Sequence, residues 1–113
     1  MPIRRIYLSL LFCTLQATPV LYAQQTTGTI RGTVTDASGG AVTSASVTAT
    51  NGDTGVAVTV PTDVSGRYSF PLLRPGYYTV KAEAKGFNAA VQKDVLVRIT
   101  ETAVVNFGFR WAP

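Results

Sequence analysis

The side chains that most often perform catalysis are scarce in this chain. Its 113 residues include no histidine and one cysteine, which excludes a Ser-His-Asp triad, a histidine-ligated metal and a histidine general base. The single cysteine, Cys13, lies in a short apolar run near the N-terminus. The six acidic residues stand singly, and no pair is placed for the two-carboxylate chemistry of a glycosidase. We therefore predict no catalytic residues, no cofactor and no enzymatic activity.

A repeated loop pattern could in principle hold a cation. Thr-Asp-x-Ser-Gly occurs at Asp36 and again at Asp63, and Asp53 lies in a third loop. A Ca²⁺ ion usually takes about six to eight oxygens, whereas each of these loops offers one carboxylate. The same pattern is good turn chemistry, because Asp and Ser bond nearby backbone groups and Gly39 and Gly66 tolerate positive φ. The turn interpretation is favoured, and no metal site is predicted.

Exposed aromatic side chains are the groups that stack on sugars, and two aromatic residues are candidates for this role. Tyr77 lies on the polar side of its predicted strand, and Trp111 lies beyond the last strand. Each also has an ordinary explanation, since Tyr77 is a good strand former beside a turn and Trp111 can cover an end of the core. Both are kept as candidate glycan contacts. The other aromatic residues of the strands are predicted to be core: Tyr68, Phe70, Tyr78, Phe107 and Phe109.

The stretch 62–84 has the clearest local pattern, and the rest of the chain is organised around it. Tyr68 and Phe70 alternate with polar residues, Pro75-Gly76 makes a turn, and a second alternation begins at Tyr78. A period of two bounded by turn residues indicates a β-hairpin. We also expect Gly76 to need positive φ, so that Gly76→Val should be among the most damaging single changes.

Similar alternation continues through the chain, with no helical period after the N-terminal region. Asn51-Gly52 favours a hairpin turn, and Pro61 indicates an edge strand or a strand end because proline cannot donate to a ladder. We predict a seven-stranded antiparallel β-sandwich of the immunoglobulin or transthyretin type. The strands other than the central pair are predicted at 28–35, 45–50, 56–60, 95–99 with a start as early as Ala89, and 103–109. The predicted core comprises Ile30, Val34, Val47, Tyr68, Phe70, Tyr78, Val80, Val105 and Phe107.

The N-terminus has the pattern of a secretory signal peptide. Arg4 and Arg5 precede an apolar run at 6–15, and a small residue, Ala23, stands at the expected cleavage position. The run is too short for a membrane span of about 20 residues. A membrane-anchored or buried N-terminal helix is the alternative. The chain is therefore divided into a signal peptide at 1–23, a polar leader at 24–27, a β-sandwich at 28–109 and a C-terminal stub at 110–113.

The charge distribution excludes one class of partner. The full chain carries a formal net charge of +4, and cleavage after Ala23 leaves eight cations against six acids. The remaining cations are scattered singly along the chain, whereas a nucleic-acid binder gathers them on one face beside stacking aromatic residues. We predict no nucleic-acid partner and no membrane span in the mature chain.

Three segments of the sequence, GTIRGTVTDASGGAVTSASVTATN, TDVSGRYSFPLLRPGYYTVKAEAKGF and VVNFGF, closely resemble the carboxypeptidase regulatory-like domain. This domain is a transthyretin-like or prealbumin-like sandwich that is grouped with carbohydrate-binding-like folds. The resemblance covers residues 28–109. It rests on Gly32, Val34, Asp36, Gly39, Ala45, Val47, Asp63, Gly66, Tyr68, Phe70, Leu73, Pro75, Gly76, Tyr78, Val80, Gly86 and Phe87.

The resemblance implies an accessory module without catalytic residues. In bacteria such domains commonly follow a signal peptide at the N-terminus of TonB-dependent outer-membrane receptors, and others belong to secreted enzymes and adhesins. We therefore expect an exported protein, in the periplasm, at the outer membrane or secreted, whose partner is a protein or a polysaccharide. The chain can be a free-standing module or the front of a longer receptor. It can also bind through an open sheet edge, or be a carbohydrate-binding module proper.

Overall fold

The computed structural model describes residues 26–112 of the chain, so the predicted signal peptide, Cys13 and the first part of the leader lie outside the described residues. No helix within 26–112 is long and apolar enough to cross a membrane. The strands are β1 (Gly28–Thr35), β2 (Ser46–Asn51), β3 (Ala57–Pro61), β4 (Arg67–Leu73), β5 (Gly76–Glu83), β6 (Ala90–Val97), β7 (Thr102–Val104) and β8 (Phe107–Gly108).

The strands form two sheets that pack face to face as a sandwich. Sheet one has the order β4-β1-β7, with β8 also pairing with β1, and sheet two has the order β3-β2-β5-β6. All pairs are antiparallel except those of β7 and β8 with β1, which are parallel. The predicted sandwich is confirmed, whereas the prediction of seven wholly antiparallel strands is corrected by the parallel pairs and by the division of the last strand into two.

The break between β7 and β8 has a local cause in Gly32. A Cβ on Gly32 would overlap with the carbonyl oxygen of Val105, so glycine lets the chain approach β1 closely at this point. The side chain of Asn106 then takes over one ladder bond, since its Oδ1 accepts the backbone N–H of Thr33 at 3.0 Å. The predicted strand at 103–109 is therefore interrupted at 105–106.

The central pair of strands is joined differently from the prediction. β4 pairs with β1 in sheet one and β5 pairs with β2 and β6 in sheet two, so the two do not form a hairpin. The Pro75-Gly76 turn carries the chain from one sheet to the other, which places the apolar faces of β4 and β5 on opposite sides of one core. Gly76 has φ of +146°, as predicted, and the hydroxyl of Tyr78 donates to the carbonyl of Arg74 at 2.8 Å across the turn.

The core lies between the sheets and contains every residue predicted to be buried. Phe70 and Phe109 are the largest of the fully buried side chains, and the rings of Tyr68 and Phe70 meet edge to face at 5.8 Å. Burial of such a side chain contributes about 1.5 to 3 kcal/mol. One boundary is corrected, because β6 covers Ala90–Val97 and ends before Ile99, which is exposed.

Candidate functional site

Asp36 closes the turn that follows β1. Its Oδ1 accepts the N–H and the hydroxyl of Ser38 at 2.9 and 2.6 Å and the N–H of Gly40 at 3.0 Å. These bonds stabilise the carboxylate and hold the pKa of Asp36 below its usual value, with the Ser38 hydroxyl contributing most and the Gly40 N–H next. Gly39 adopts φ of +88°, which completes the turn. The carboxylate is engaged by its own loop.

Asp63 repeats this arrangement before β4. Its Oδ1 accepts the N–H groups of Arg67 at 2.9 Å and Ser65 at 2.8 Å, which lower its pKa in that order of importance, and Gly66 adopts φ of +74°. Asp53 lies at the opposite end of the sandwich, separated by the length of β2, about 17 Å at 3.3 Å per residue. Within residues 26–112 no group of three His, Cys, Asp or Glu side chains comes together. The three aspartates do not share a cation site.

The two candidate glycan contacts also lie at opposite ends of the sandwich. Tyr77, at the start of β5, is 57% exposed and stands opposite Leu96 on the outer face of sheet two. Trp111 is 62% exposed and pairs with Phe87, beyond the end of β5. β5 alone separates the two positions by about 20 Å. Tyr77 and Trp111 therefore do not form one binding surface.

Trp111 is the outermost ring of a stack that begins in the core. Its ring lies 4.3 Å from that of Phe87 with an interplanar angle of 26°, and Phe87 lies 5.1 Å from the buried Phe109. Trp111 therefore covers an end of the core, and it also presents an aromatic surface to solvent.

An apolar cleft that the sequence did not reveal lies between β3 and the end of β4. Val56, just before β3, is 61% exposed, Val58 43% and Leu72 75%, although Val58 stands opposite the buried Ala49 on the inner face of β3. The cleft has a volume of about 330 Å³. We name it the β3–β4 cleft, and it is lined by Asn51, Thr54, Val56, Val58, Leu72, Leu73, Arg74 and Tyr78.

The exposure of Leu72 results from a β-bulge. Pro71 and Leu72 of β4 together face the single residue Thr29 of β1, and Leu72 adopts φ of +60°. This left-handed conformation costs about 1 to 2 kcal/mol in a residue with a side chain. The bulge turns Leu73 into the core and leaves Leu72 in solvent. A large apolar side chain is thus held in a strained conformation at the rim of the β3–β4 cleft.

The cleft adjoins an open sheet edge. The N–H of Asn51 donates to the carbonyl of Val56, which makes these two residues a hydrogen-bonded pair. Because such pairs alternate along an antiparallel ladder, the backbone groups of Ala57 and Thr59 point away from β2. β3 is the terminal strand of sheet two, so these groups lie at its outer edge. Pro61 was predicted to mark an edge strand or a strand end, and it is the last residue of an edge strand.

Most of the described region matches a known protein family. The model of the family "Carboxypeptidase regulatory-like domain" matches residues 29–110. No curated protein sequence matches the chain. The family match includes all eight strands except Gly28, the first residue of β1, and it confirms the resemblance noted in the sequence.

Solved structures share the fold at low sequence identity. The TIE protein of Bacillus anthracis superposes with a TM-score of 0.66 at 21% identity, over 77% of this chain and 17% of that one. A candidate carbohydrate-binding protein from Bacteroides uniformis gives 0.57 at 22%, over 72% and 40%. Catechol 1,2-dioxygenase from Pseudomonas arvilla gives 0.60 at 12%, over 78% and 53%. The chain spans about half or less of these proteins, and identities this low show the fold alone.

Proposed function

Because the chain belongs to the carboxypeptidase regulatory-like domain family, we propose that it is an exported, non-catalytic module that works by binding a protein partner. The observation that carries this proposal is the open edge of β3 beside the β3–β4 cleft. A partner would supply an extended segment that adds to β3 as a further strand. The lack of histidine and the engagement of Asp36 and Asp63 in their own turns support a role without catalysis.

The edge offers both components that strand addition needs. The N–H and C=O groups of Ala57 and Thr59 would pair with the backbone of the incoming strand, which provides affinity that is independent of sequence. Alternate side chains of that strand would enter the cleft beside Val58 and Leu72, which would select apolar residues at every second position. Pro61 has no N–H and so sets one end of the paired region.

The strain at Leu72 supports the same assignment. A folded domain gains little from a leucine that is 75% exposed and adopts positive φ. Backbone strain of this kind concentrates at functional positions, where the surrounding structure maintains it. Contact with the apolar residues of an added strand would give this side chain the burial that the isolated domain does not.

A pair of substitutions at Thr59 tests the proposal. Both Thr59→Pro and Thr59→Ala remove the side-chain bond to Thr48 of β2 at 2.9 Å and leave the backbone bonds to β2 intact. Only Thr59→Pro also removes the outward N–H. We expect a displayed library of seven-residue peptides to be enriched in alternating apolar sequences on the wild-type chain. Binding of the enriched peptides should be lost in Thr59→Pro and retained in Thr59→Ala.

The contrary results are distinct. Equal binding by the two Thr59 variants would show that the backbone edge is not used. A concentration-dependent dimer in sedimentation equilibrium that Thr59→Pro abolishes would identify a second copy of the chain, and not a separate partner, as the added strand.

We further propose that the segment 1–23 is a signal peptide, cleaved after Ala23, and that the module is the N-terminal extension of a TonB-dependent outer-membrane receptor. The charged start and the apolar run support export, and the family resemblance supports the receptor context. N-terminal sequencing of the protein from the producing cell should begin at Gln24, and an intact Met1 would contradict export. A reading frame that continues past Pro113 into a plug and a barrel is expected, whereas a stop codon there would indicate a free-standing module.

Carbohydrate binding is the second candidate function, and the exposed ring of Trp111 favours it. A tryptophan that is already stacked on Phe87 is held rigidly, so it would lose little entropy on contact with a sugar ring. Tyr77 would form a separate contact at the other end of the sandwich. Glycan-array binding that is lost in Trp111→Ala or Tyr77→Ala would establish this function, and no binding across the array would leave the protein-contact role.

A further inference from the structure

The outer face of sheet one carries a second cavity. It reaches Val60 and Pro61 at the end of β3, but Ala57 and Thr59, whose backbone groups carry the proposed function, are not among its lining residues. On this face the central strand β1 presents Arg31, which stands opposite Ser69 of β4 and opposite Val104 of β7. All three side chains are exposed. Because they share one register position, they form a row across the sheet.

A second row lies beside the first. Thr33 of β1 stands opposite Arg67 of β4, and on its other side it is bonded to Asn106. The two rows line an open cavity of about 620 Å³, a volume in the range of small-molecule sites, which run from about 300 to 1,000 Å³. We name it the arginine face, and its rows consist of Arg31, Ser69, Val104, Arg67, Thr33 and Asn106.

The two arginines of this face lack a carboxylate partner. The ion pair found among residues 26–112 joins Lys81 to Glu83, and none involves Arg31 or Arg67. The two arginines are diagonal neighbours on adjacent strands, a relationship that places such residues about 7 to 8 Å apart. An anion bound between the two guanidinium groups would replace their mutual repulsion with two charge-assisted contacts.

Asp63, the acidic residue at the rim, does not fill this role. Its Oδ1 accepts the backbone N–H groups of Ser65 and Arg67 and so belongs to the turn before β4. The charged groups of Asp63 and Arg67 interact, but their nitrogen and oxygen atoms lie farther apart than the 4.0 Å limit of an ion pair. The guanidinium groups therefore remain available to a ligand.

Asn106 adds further donors. Its Oδ1 accepts both the backbone N–H of Thr33 at 3.0 Å and the hydroxyl of Thr33 at 3.1 Å. A backbone N–H can only donate, so the oxygen of this amide is fixed towards Thr33 and the two N–H groups of Nδ2 are left for a ligand. The arginine face thus offers hydrogen-bond donors and positive charge, which match a ligand rich in acceptors and negative charge.

We propose that the arginine face binds an anionic sugar unit, with a carboxylate or phosphate group held between Arg31 and Arg67. The exposed Val104 would contact the apolar C–H face of the ring, and the amide of Asn106 would donate to ring hydroxyls. β1 itself cannot take up a peptide strand at this place, because it is hydrogen-bonded to neighbouring strands on both sides.

Isothermal titration of the full chain tests this site with trigalacturonate, glucose 6-phosphate, neutral maltotriose and hexaglutamate. We expect trigalacturonate to bind, and its affinity to fall about tenfold or more in Arg31→Gln and in Arg67→Gln, as befits the loss of one charge-assisted contact. Arg98→Gln, which removes the same charge away from this face, should leave the affinity unchanged. The same pattern with glucose 6-phosphate would identify phosphate as the anionic group, and maltotriose should not bind.

Several results would overturn the proposal. The first is that neither anionic sugar binds. The second is that Arg98→Gln lowers the affinity as much as the other two variants, which would indicate diffuse charge attraction. The third is that hexaglutamate binds as tightly as trigalacturonate, which would indicate an acidic peptide as the ligand. If an arginine variant does not fold, the amide chemical-shift changes that trigalacturonate causes in the wild-type chain test the position of the site. They should centre on Ser69 and Asn106, and changes centred on Trp111 would contradict the site.

Discussion

The carbonyl oxygen of Val105 occupies the space where a Cβ of Gly32 would lie. The same oxygen accepts a hydrogen bond from the buried hydroxyl of Tyr68. One carbonyl group therefore joins β1, β4 and the segment between β7 and β8. This contact interrupts the last strand, and it also brings Asn106 to the position where it lines the arginine face.

Gly32→Ala should be among the most destabilising single changes in the chain. The added methyl group would have to displace backbone, because its nearest neighbour is a carbonyl and not the end of a flexible side chain. Overpacking of this kind costs about 1 to 3 kcal/mol or more. Gly108→Ala is the matched control, since nothing lies within 4 Å of its added Cβ. Urea unfolding followed by circular dichroism should separate the two variants, and equal midpoints would contradict the packing argument.

Tyr68 should make the stability of the fold sensitive to alkaline pH. Burial raises the pKa of Tyr68 above its usual value of 10.0. The unfolded chain then loses this proton at a lower pH than the folded chain, so the contribution to stability is complete below about pH 10 and declines as the pH rises further.

Tyr68→Phe isolates this contribution. It should lower the free energy of unfolding by about 1 to 3 kcal/mol at neutral pH, because the buried carbonyl of Val105 loses its donor. It should also flatten the decline of stability above pH 10. An unchanged alkaline slope in the variant would assign that slope to other groups.

Adjacent leucines should respond in opposite ways to substitution. Leu72→Asn introduces a residue that tolerates positive φ and removes the exposed leucine side chain, so the free energy of unfolding should stay constant or rise by up to about 1 kcal/mol. Leu73→Ala should lower it by about 2 to 5 kcal/mol, because Leu73 is buried. A large loss in Leu72→Asn would show that Leu72 packs within the domain and is not reserved for a partner.

The sequence predicts which residues share a face, and it is less informative about which sheet covers that face. Period-two alternation identified the buried residues on both sides of the sandwich, from Ile30 to Phe107. The same alternation in Val56 and Val58 gave no sign of exposure, because their exposure depends on how closely the end of β4 approaches β3. The β3–β4 cleft was therefore missed.

Bulges and close approaches are hidden from the sequence for a related reason. Leucine is not a turn-forming residue, so the sequence does not indicate that Leu72 adopts positive φ. Gly32 fits a strand pattern, and its need for close approach appears only when β7 and β8 lie beside β1. The arginine face depends on the antiparallel pairing of β1 with β4 and on the parallel pairing of β1 with β7 and β8, since residues 31, 67 and 106 are far apart along the chain.

Acid should weaken the fold through the turn before β4. The N–H groups of Arg67 and Ser65 lower the pKa of Asp63 from its ordinary value of 3.8. The unfolded chain therefore takes up this proton at a higher pH than the folded chain, so the stabilising contribution is present above about pH 4 and is lost as the pH falls through the lowered value. Asp63→Asn keeps an acceptor oxygen and removes the charge. We expect it to lower the urea midpoint at neutral pH and to reduce the fall in midpoint between neutral pH and pH 3, relative to the wild type. If the two chains lose stability in parallel as the pH falls, the hydrogen bonds to Asp63 do not link protonation to folding.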